Sequence, residues 1–435
     1  MERKRLQRRG FLQGSAVAGA TWATASMAGS KMSRASESLA PAEAQEGVDA
    51  RADVLVIGGG TAGTIAAIQA ARAGARTILV EQGSQLGGTM TVGGVAFPGL
   101  FHAWGKQIIS GIGWDLVCRT VAMDGGSLPD FTTPPPPGKH WLHQVLINPF
   151  LYALLAEEAC LDAGVTVCYY EFPLSVEAAG DHWQVEIAGP GTRRRVLCRQ
   201  LIDCTGGADV VGMLGLPRLR EEETQPGSML YKFGDDFQAG RERLSAVYVH
   251  GADSSNSTTR TQANLAGRRE ILRRLRALRA GDAPHARLVQ IQPEAAFRES
   301  FRIQGEVVIT HDDYVSGRVF DDAISYAFYP VDLHTRTGVR PKPLDAGVVP
   351  TVPLRALVPK GSRRLIVAGR CISSDRLANS GLRVQATCMA TGQAAGATAA
   401  LAAQSNTTPL EVPLDAIRDL LRQNEAIVPQ GPVRE

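Results

Sequence analysis

The sequence predicts an α/β fold in which a parallel sheet, covered by helices on both faces, is interrupted by a second, mixed α+β domain. Three observations carry this prediction. Short apolar runs of strand character at Val54–Ile57, Thr77–Val80 and Gln200–Asp203 alternate with helical stretches, which is the pattern of parallel sheets. A late apolar run, Arg364–Ala368, precedes a long helix of small residues, Arg383–Gln404. Between these parts, residues 286–357 mix strand-like and irregular stretches. A chain of 435 residues has room for two domains, one inserted into the other.

The first element is the most informative. In Asp53–Glu81 (DVLVIGGGTAGTIAAIQAARAGARTILVE) a strand runs into Gly58-Gly59-Gly60-Thr61-Ala62-Gly63, then a helix, then a second strand ending at Glu81. Strand, glycines, helix, strand and acid in that order form a Rossmann-like βαβ unit for a dinucleotide. Gly58 permits the tight turn, Gly60 lets backbone approach a pyrophosphate, and Gly63 lets the helix pack closely on the sheet. The helix start offers N–H groups and a positive dipole end to phosphates. Glu81 stands where an acid meets a ribose hydroxyl, and an acid there argues against a 2′-phosphate.

A glycine-dense segment follows, Leu86-Gly87-Gly88-Thr89-Met90-Thr91-Val92-Gly93-Gly94, with apolar residues interspersed, which suggests backbone packed against a ligand. Four prolines at 134–137 mark a stiff, exposed excursion within 125–139. Asn148 and Pro149 open a helix to Ala163 as N-cap and first residue. Val165–Tyr170 reads as a strand, Gln184–Ile187 and Arg195–Cys198 as short strands around Gly189-Pro190-Gly191, and Gln200–Asp203 as a further strand ending in Cys204-Thr205-Gly206-Gly207. Residues 266–280 predict a basic helix with Ile271, Leu272, Leu275 and Leu278 on its apolar face and its arginines in solvent.

The predicted organisation is a signal segment at 1–28, a linker at 29–50, nucleotide-domain parts at 51–115, 148–215 and 358–404, the Pro-rich excursion at 116–147, a substrate or cap domain at 216–357, and a tail at 405–435. The signal reading rests on Arg8-Arg9-Gly10-Phe11-Leu12 followed by the weakly apolar run GSAVAGATWATASMAG. That combination resembles a twin-arginine signal and predicts export to a periplasmic or extracellular location. The run is too short and too rich in Gly, Ser and Thr for a membrane span, and Ala23/Ala25 and Ser26/Ala28 offer cleavage sites.

Composition narrows the rest. The 46 basic and 43 acidic residues give a formal charge of +3, and no basic stripe interleaved with aromatics supports nucleic-acid binding. Seven cysteines lack any CxxC pair, which argues against a disulfide framework, a zinc site or an iron–sulfur cluster. His140 and His143 form an HxxH beside the Pro-rich loop without an accompanying acid, and no metal is indicated.

The order of these parts resembles the two-domain FAD proteins of the glutathione-reductase-like superfamily: GGGTAG with Glu81, IDCTGG at 202–207, and LIVAGRCISSD at 365–375 followed by GLRVQATCMATGQAAG. More narrowly, LGGTMTVGGV, IDCTGGADV, FRESFRIQGEVVITHDDYV, AISYAFYPVDLHT and VPLRALVP resemble the FAD-dependent oxidoreductase family that groups with the flavin subunit of heterodisulfide reductase. The resemblance implies FAD as cofactor, with adenosine on Glu81, pyrophosphate over Gly58–Gly63, and Gly87, Gly88 and Thr89 closing over the ribose and phosphates. It also implies Thr205, Gly206 and Gly369 at the cofactor, and the helix start near Arg383 and Val384 facing the flavin N1/O2 edge. Many members of that superfamily end the late strand with Gly-Asp where this chain has Gly369-Arg370, and Asp375 can substitute for that acid only if the loop folds back. With one dinucleotide fingerprint, the expected electron source is the organic substrate.

On the substrate side the polar residues of the resembling segments are Arg298, Arg302, Asp332, His334, Arg355 and His102. Hydride abstraction needs a base near neutral pKa, for which His334 is the candidate by type. Asp332, two residues earlier on an apparent strand, shares its face and can orient it. Arg298 and Arg302, at helical spacing, are candidates to clamp a carboxylate; ion pairs with Glu299 or Asp312 are the alternative. The expected function is an FAD-dependent oxidoreductase that oxidises a small organic substrate and passes electrons to an unknown acceptor. The alternatives are a flavin reductase-type enzyme fed by a protein donor and a non-catalytic flavin-binding protein.

Overall fold

The computed structural model describes residues 48–136, 138–234, 243–281, 283–339 and 341–430. The expected signal, and the linker up to residue 47, lie outside them. Strand β1 (Ala50–Ile57) pairs in parallel with β2 (Thr77–Glu81), and β2 pairs in parallel with β3 (Thr166–Tyr169). Strands β4 (Phe172–Ala179) and β5 (His182–Gly189) then lead antiparallel into β6 (Thr192–Asp203). The register sets Ile57 opposite both Val80 and Asp203. Strand ends therefore align along one edge of the sheet, which is where open α/β sheets bind ligands.

The separate strands expected at Arg195–Cys198 and Gln200–Asp203 are one twelve-residue strand. Arg199, the polar residue between them, is exposed while Val196–Cys198 and Gln200–Asp203 are buried. Its side chain leaves the sheet and donates to the carbonyl of Ala403, 3.1 Å away. A polar side chain turned outward does not end a strand, because the ladder belongs to the backbone.

Helix α1 (Thr61–Arg72) covers one face of the sheet, with α2 (Ile112–Met123) and α3 (Pro149–Asp162) beyond it. Asn148 caps α3 as expected, its side-chain oxygen accepting from the N–H of Phe150 at 3.1 Å and of Leu151 at 3.3 Å. The short helix α4 (Asp209–Met213) follows the β6 turn.

A second sheet is antiparallel, with β7 (Gly227–Gly234) between β8 (Arg243–Val249) and β9 (Arg287–Ile291). Helix α5 (Ser257–Ala280) lies on it and starts nine residues before the expected helix, capped by Asn256. Its buried line is Ala263, Gly267 and Ile271, whereas Leu272 and Leu278 are exposed. The correction has a packing cause: a Cβ on Gly267 would stand 2.9 Å from Met229 Cβ, so small residues form the close face.

After helix α6 (His311–Ser316), strand β10 (Leu365–Val367) returns to the main sheet parallel to β6, setting Val367 opposite Asp203. The helix expected at Arg383–Gln404 is α8 (Gln385–Gln404), which starts two residues later because Val384 is extended, and a separate short helix, α7 (Arg376–Leu382), precedes it. Helix α9 (Leu414–Gln423) follows. The described residues, from Val48 on, form one compact unit. No helix of the described residues is long and apolar enough to cross a membrane.

Candidate functional site

The aligned strand ends open into a cavity of about 1430 Å³, larger than the ~300–1,000 Å³ of most small-molecule sites. At its floor the chain turns from β1 into α1. Gly58 has φ +98°, and a Cβ there would lie 2.6 Å from the carbonyl oxygen of Cys204. A Cβ on Gly63 would lie 1.8 Å from the Gly58 oxygen, so only glycine lets the helix sit this close. Gly60 differs: a Cβ there would meet nothing within 4 Å, and Gly60, Thr61 and Ala62 line the cavity. No side chain caps the start of α1, so its first N–H groups face the opening.

Neighbouring turns are tied to this one. The hydroxyl of Thr61 donates to the Gly87 carbonyl at 3.2 Å, and Gly88 and Thr89 line the cavity above it. Glu81 accepts from the N–H of Gly59 at 2.7 Å and of Gly83 at 2.6 Å. Burial pushes its carboxyl above the ordinary value, opposed by those two backbone hydrogen bonds.

At the end of β6, the buried Asp203 carboxylate accepts from the N–H and hydroxyl of Thr205 at 3.0 and 2.7 Å and from Val211 N–H at 3.2 Å. It shapes the Thr205-Gly206 turn. Sequence reasoning passed over Asp203, although an Asp two residues before a Thr at a strand end is the signature of a side-chain-closed turn. Arg370 clamps the same turn. Its Nε donates to Gly206 O at 2.7 Å, and its two terminal nitrogens donate to Phe297 O at 2.6 Å and Ser254 Oγ at 3.2 Å.

The start of α8 faces the cavity through Val384, Gln385 and Cys388. It has neither a side-chain cap nor an acid in its first turn. Gln385 Oε1 and Thr387 Oγ1 are buried without partners.

Beside it lies the polar cluster. His334 Nε2 is 3.2 Å from Asp332 Oδ2. The Arg383 guanidinium donates to the Asp332 carbonyl at 3.0 Å and lies 3.4 Å from its carboxylate. Gln225 accepts from the His334 backbone N–H at 3.0 Å, and the Tyr248 ring lies 5.8 Å from the imidazole. Burial is the largest influence on both members of the pair. It lowers His334, opposed by the hydrogen bond to Asp332. It would raise Asp332, but His334 and Arg383 outweigh it and the carboxyl sits below its usual range. Arg298 also lines the cavity, held by Pro226 O and Ser228 Oγ.

The chain matches the model of the FAD dependent oxidoreductase family over residues 53–235 and 221–421. It belongs to that family. FAD is its cofactor and it is an FAD-dependent oxidoreductase. No curated protein matches it. Solved structures similar to it include an anhydrotetracycline hydroxylase from Streptomyces rimosus, at 13% identity over 86% of this chain and 66% of that one, with a TM-score of 0.45. A geranylgeranyl bacteriochlorophyll reductase-like protein from Thermoplasma acidophilum shares 12% identity over 86% and 82% of the chains, with a TM-score of 0.41. A flavoprotein/dehydrogenase from Cytophaga hutchinsonii shares 15% identity over 86% and 84%, with a TM-score of 0.43. The chain thus spans less than two thirds of the length of the hydroxylase.

The residues of this oxidoreductase fit FAD. An uncapped helix start over an open glycine suits a diphosphate. A second uncapped start with orphaned polar atoms at Gln385 and Thr387 suits a polar ring edge.

Several expected site residues lie elsewhere. Residues 292–301 are not helical, so Arg298 and Arg302 do not act as a pair. Arg302 is buried away from the cavity, donating to Ser374 O and Glu221 at 3.0 Å each. Glu299, the alternative partner, pairs with Arg376 at 2.9 Å. Asp375 caps α7, accepting from the N–H of Ala378 at 2.8 Å and of His311 at 2.5 Å, and does not line the cavity. Arg355 forms a two-pronged pair with Asp322, 3.0 Å at each prong. His102 stacks on Phe131, rings 3.8 Å apart and 2° from parallel.

Proposed function

We propose that FAD lies extended along the carboxyl edge of the sheet and that the enzyme oxidises a small organic molecule seated against His334. Glu81 would hold the adenosine ribose, and Gly58, Gly60, Thr61, Ala62 and Gly63 the diphosphate. Gly87, Gly88 and Thr89 would cover it, with Thr205, Gly206, Gly369 and Arg370 alongside. The α8 start at Arg383 and Val384 would meet the ring system. Bound FAD supplies a two-electron acceptor for hydride.

One observation carries the reading: the Asp332–His334 pair lies in the same cavity as the glycine turn. The tautomer that donates Nε2–H to Asp332 leaves Nδ1 as the basic atom. Burial favours its neutral form, so Nδ1 can take the proton from a substrate hydroxyl or amine as hydride leaves the adjacent carbon. Asp332 fixes the ring orientation and stabilises the imidazolium that forms, and Arg383 holds Asp332 in place. The reading also places the enzyme outside the cytoplasm, on the strength of Arg8-Arg9-Gly10-Phe11-Leu12.

The test is an anaerobic screen of the yellow holoprotein against alcohols, amines, sugars and carboxylates. Substrate oxidation requires that at least one class bleach the flavin. Bleaching only by an electron-donating protein would favour a reductase fed by a partner, and no bleaching by either would leave a binding protein.

A further inference from the structure

We propose that the molecule oxidised is a small carboxylate anion, received by Arg298 and Arg383; the assignment rests on the oxidoreductase reading above. The argument starts from charge. Two guanidiniums, Arg298 and Arg383, line the cavity beside one carboxylate, Asp332. The other polar groups there do not offset the second cation. The His334 imidazole is held toward its neutral form, and burial pushes the Tyr329 phenol up to about 12. His140, whose ring meets that of Tyr329 at 5.2 Å, is likewise pulled toward neutrality by burial. Glu299, the next carboxylate along the chain, is taken by Arg376.

Geometry turns this excess charge into a receptor. Among the described residues Arg298 has hydrogen bonds to Pro226 O and Ser228 Oγ and no carboxylate partner. Those bonds hold one end of the guanidinium, and its carbon lies 5.5 Å from the centre of the Tyr248 ring. Arg383 is fixed by Asp332, and its Nε is enclosed without a partner. Burial, with Arg383 nearby, pulls Arg298 down to about 10, still a full cation at neutral pH. Two buried like charges with one counter-charge are costly to hold together, and an incoming carboxylate relieves that cost through charge-assisted hydrogen bonds. A neutral alcohol or amide of the same shape would leave the second cation uncompensated. A carboxylate bearing a hydroxyl or amine on its adjacent carbon, seated between Arg298 and Arg383, would give up that group's proton to His334 and the hydride of that carbon to bound FAD, leaving a C=O or C=N bond in place of the C–O or C–N single bond.

Inert ligands separate binding from turnover. The FAD-loaded protein is titrated with acetate, propionate and benzoate, and with acetamide, propionamide and benzamide, while the flavin spectrum is recorded. Carboxylates should perturb the spectrum saturably, and the amides should bind about 10- to 100-fold more weakly, the loss of one charged hydrogen-bonding pair. Arg298→Gln should impose a similar loss on the carboxylates with FAD content unchanged, and Arg298→Lys a smaller one. Amides that bind as well as carboxylates would overturn the proposal, whether or not the variants fold. So would an Arg298→Gln protein that changes the flavin potential but not carboxylate affinity, because the charge would then serve the cofactor. If carboxylates bind but no compound of the screen bleaches the flavin, the oxidation reading fails and the anion site stands. If a neutral alcohol or amine bleaches it while carboxylates do not bind, oxidation stands and the anion site falls.

Discussion

Gly392 of α8 lies against Ala62 of α1 so closely that a Cβ on the glycine would stand 2.2 Å from the Ala62 carbonyl oxygen. One turn later Gly396 meets the Ala66 oxygen in the same way, at 2.3 Å. Two helices are thus locked backbone to backbone, and both begin at the cavity. Gly392→Ala and Gly396→Ala should each destabilise the protein by ~1–3 kcal/mol, the usual cost of overpacking a tight interface. Denaturant unfolding followed by circular dichroism checks the loss. The same variants should retain less FAD after gel filtration, since the interface positions the first turn of α1.

Glu81 contributes through two backbone hydrogen bonds as well as through its place on the cavity wall. Glu81→Ala removes the acceptor of Gly59 N–H, the amide inside the glycine turn. Hydrogen bonds to charged groups are worth ~1.5–3 kcal/mol, so FAD affinity should drop by about one to two orders of magnitude. Fluorescence titration of apoprotein with FAD measures it, and an unchanged dissociation constant would remove Glu81 from the cofactor site.

Arg370 joins the Gly206 turn to Phe297 and Ser254. Arg370→Met keeps the length and leaves the part-buried carbonyls of Gly206 and Phe297 without this donor. Each hydrogen bond lost costs ~0.5–1.5 kcal/mol net. The variant should melt earlier and bind FAD more weakly, whereas a purely electrostatic role would let Arg370→Lys restore both.

His102 makes a prediction about pH. Burial is the main reason its folded-state pKa drops from the usual 6.5 to about 4, with His143 adding to it. The unfolded chain therefore binds this proton more readily than the folded one. Stability from this group is complete above pH ~6.5 and declines as pH falls from there toward 4. His102→Phe preserves the stack on Phe131 and removes the titration, so the acid side of the stability profile should flatten. An unchanged profile would show that another group governs acid unfolding.

Much of this architecture was legible in the sequence, and the exceptions have physical causes. Gly58, Gly63 and Glu81 announced the first βαβ because tight turns and close helix packing admit few residue types. Asn148-Pro149 announced α3 because capping is local. The strand boundary expected at Arg199 failed because a polar side chain can leave a sheet without interrupting its ladder. The buried face of α5 was not legible because the small residues Ala263 and Gly267, not the leucines Leu272 and Leu278, set its contact with the sheet. Arg302 and Asp375 were misplaced for a different reason: which acceptor a buried guanidinium or carboxylate meets is decided by distant chain. Asp332 and His334 were legible because they are two residues apart, whereas Gln225 and Tyr248 reach them only through folding.

The most direct measurement of the central claim is single-turnover, anaerobic reduction of the bound flavin by a substrate from the screen, compared between the native protein and His334→Ala. General-base groups contribute ~10²–10⁴-fold. The account predicts a slowing of that order at unchanged FAD content, with the native rate falling on the acid side only below pH ~6.5, since His334 is held beneath its ordinary value. Equal rates in the two proteins would contradict it.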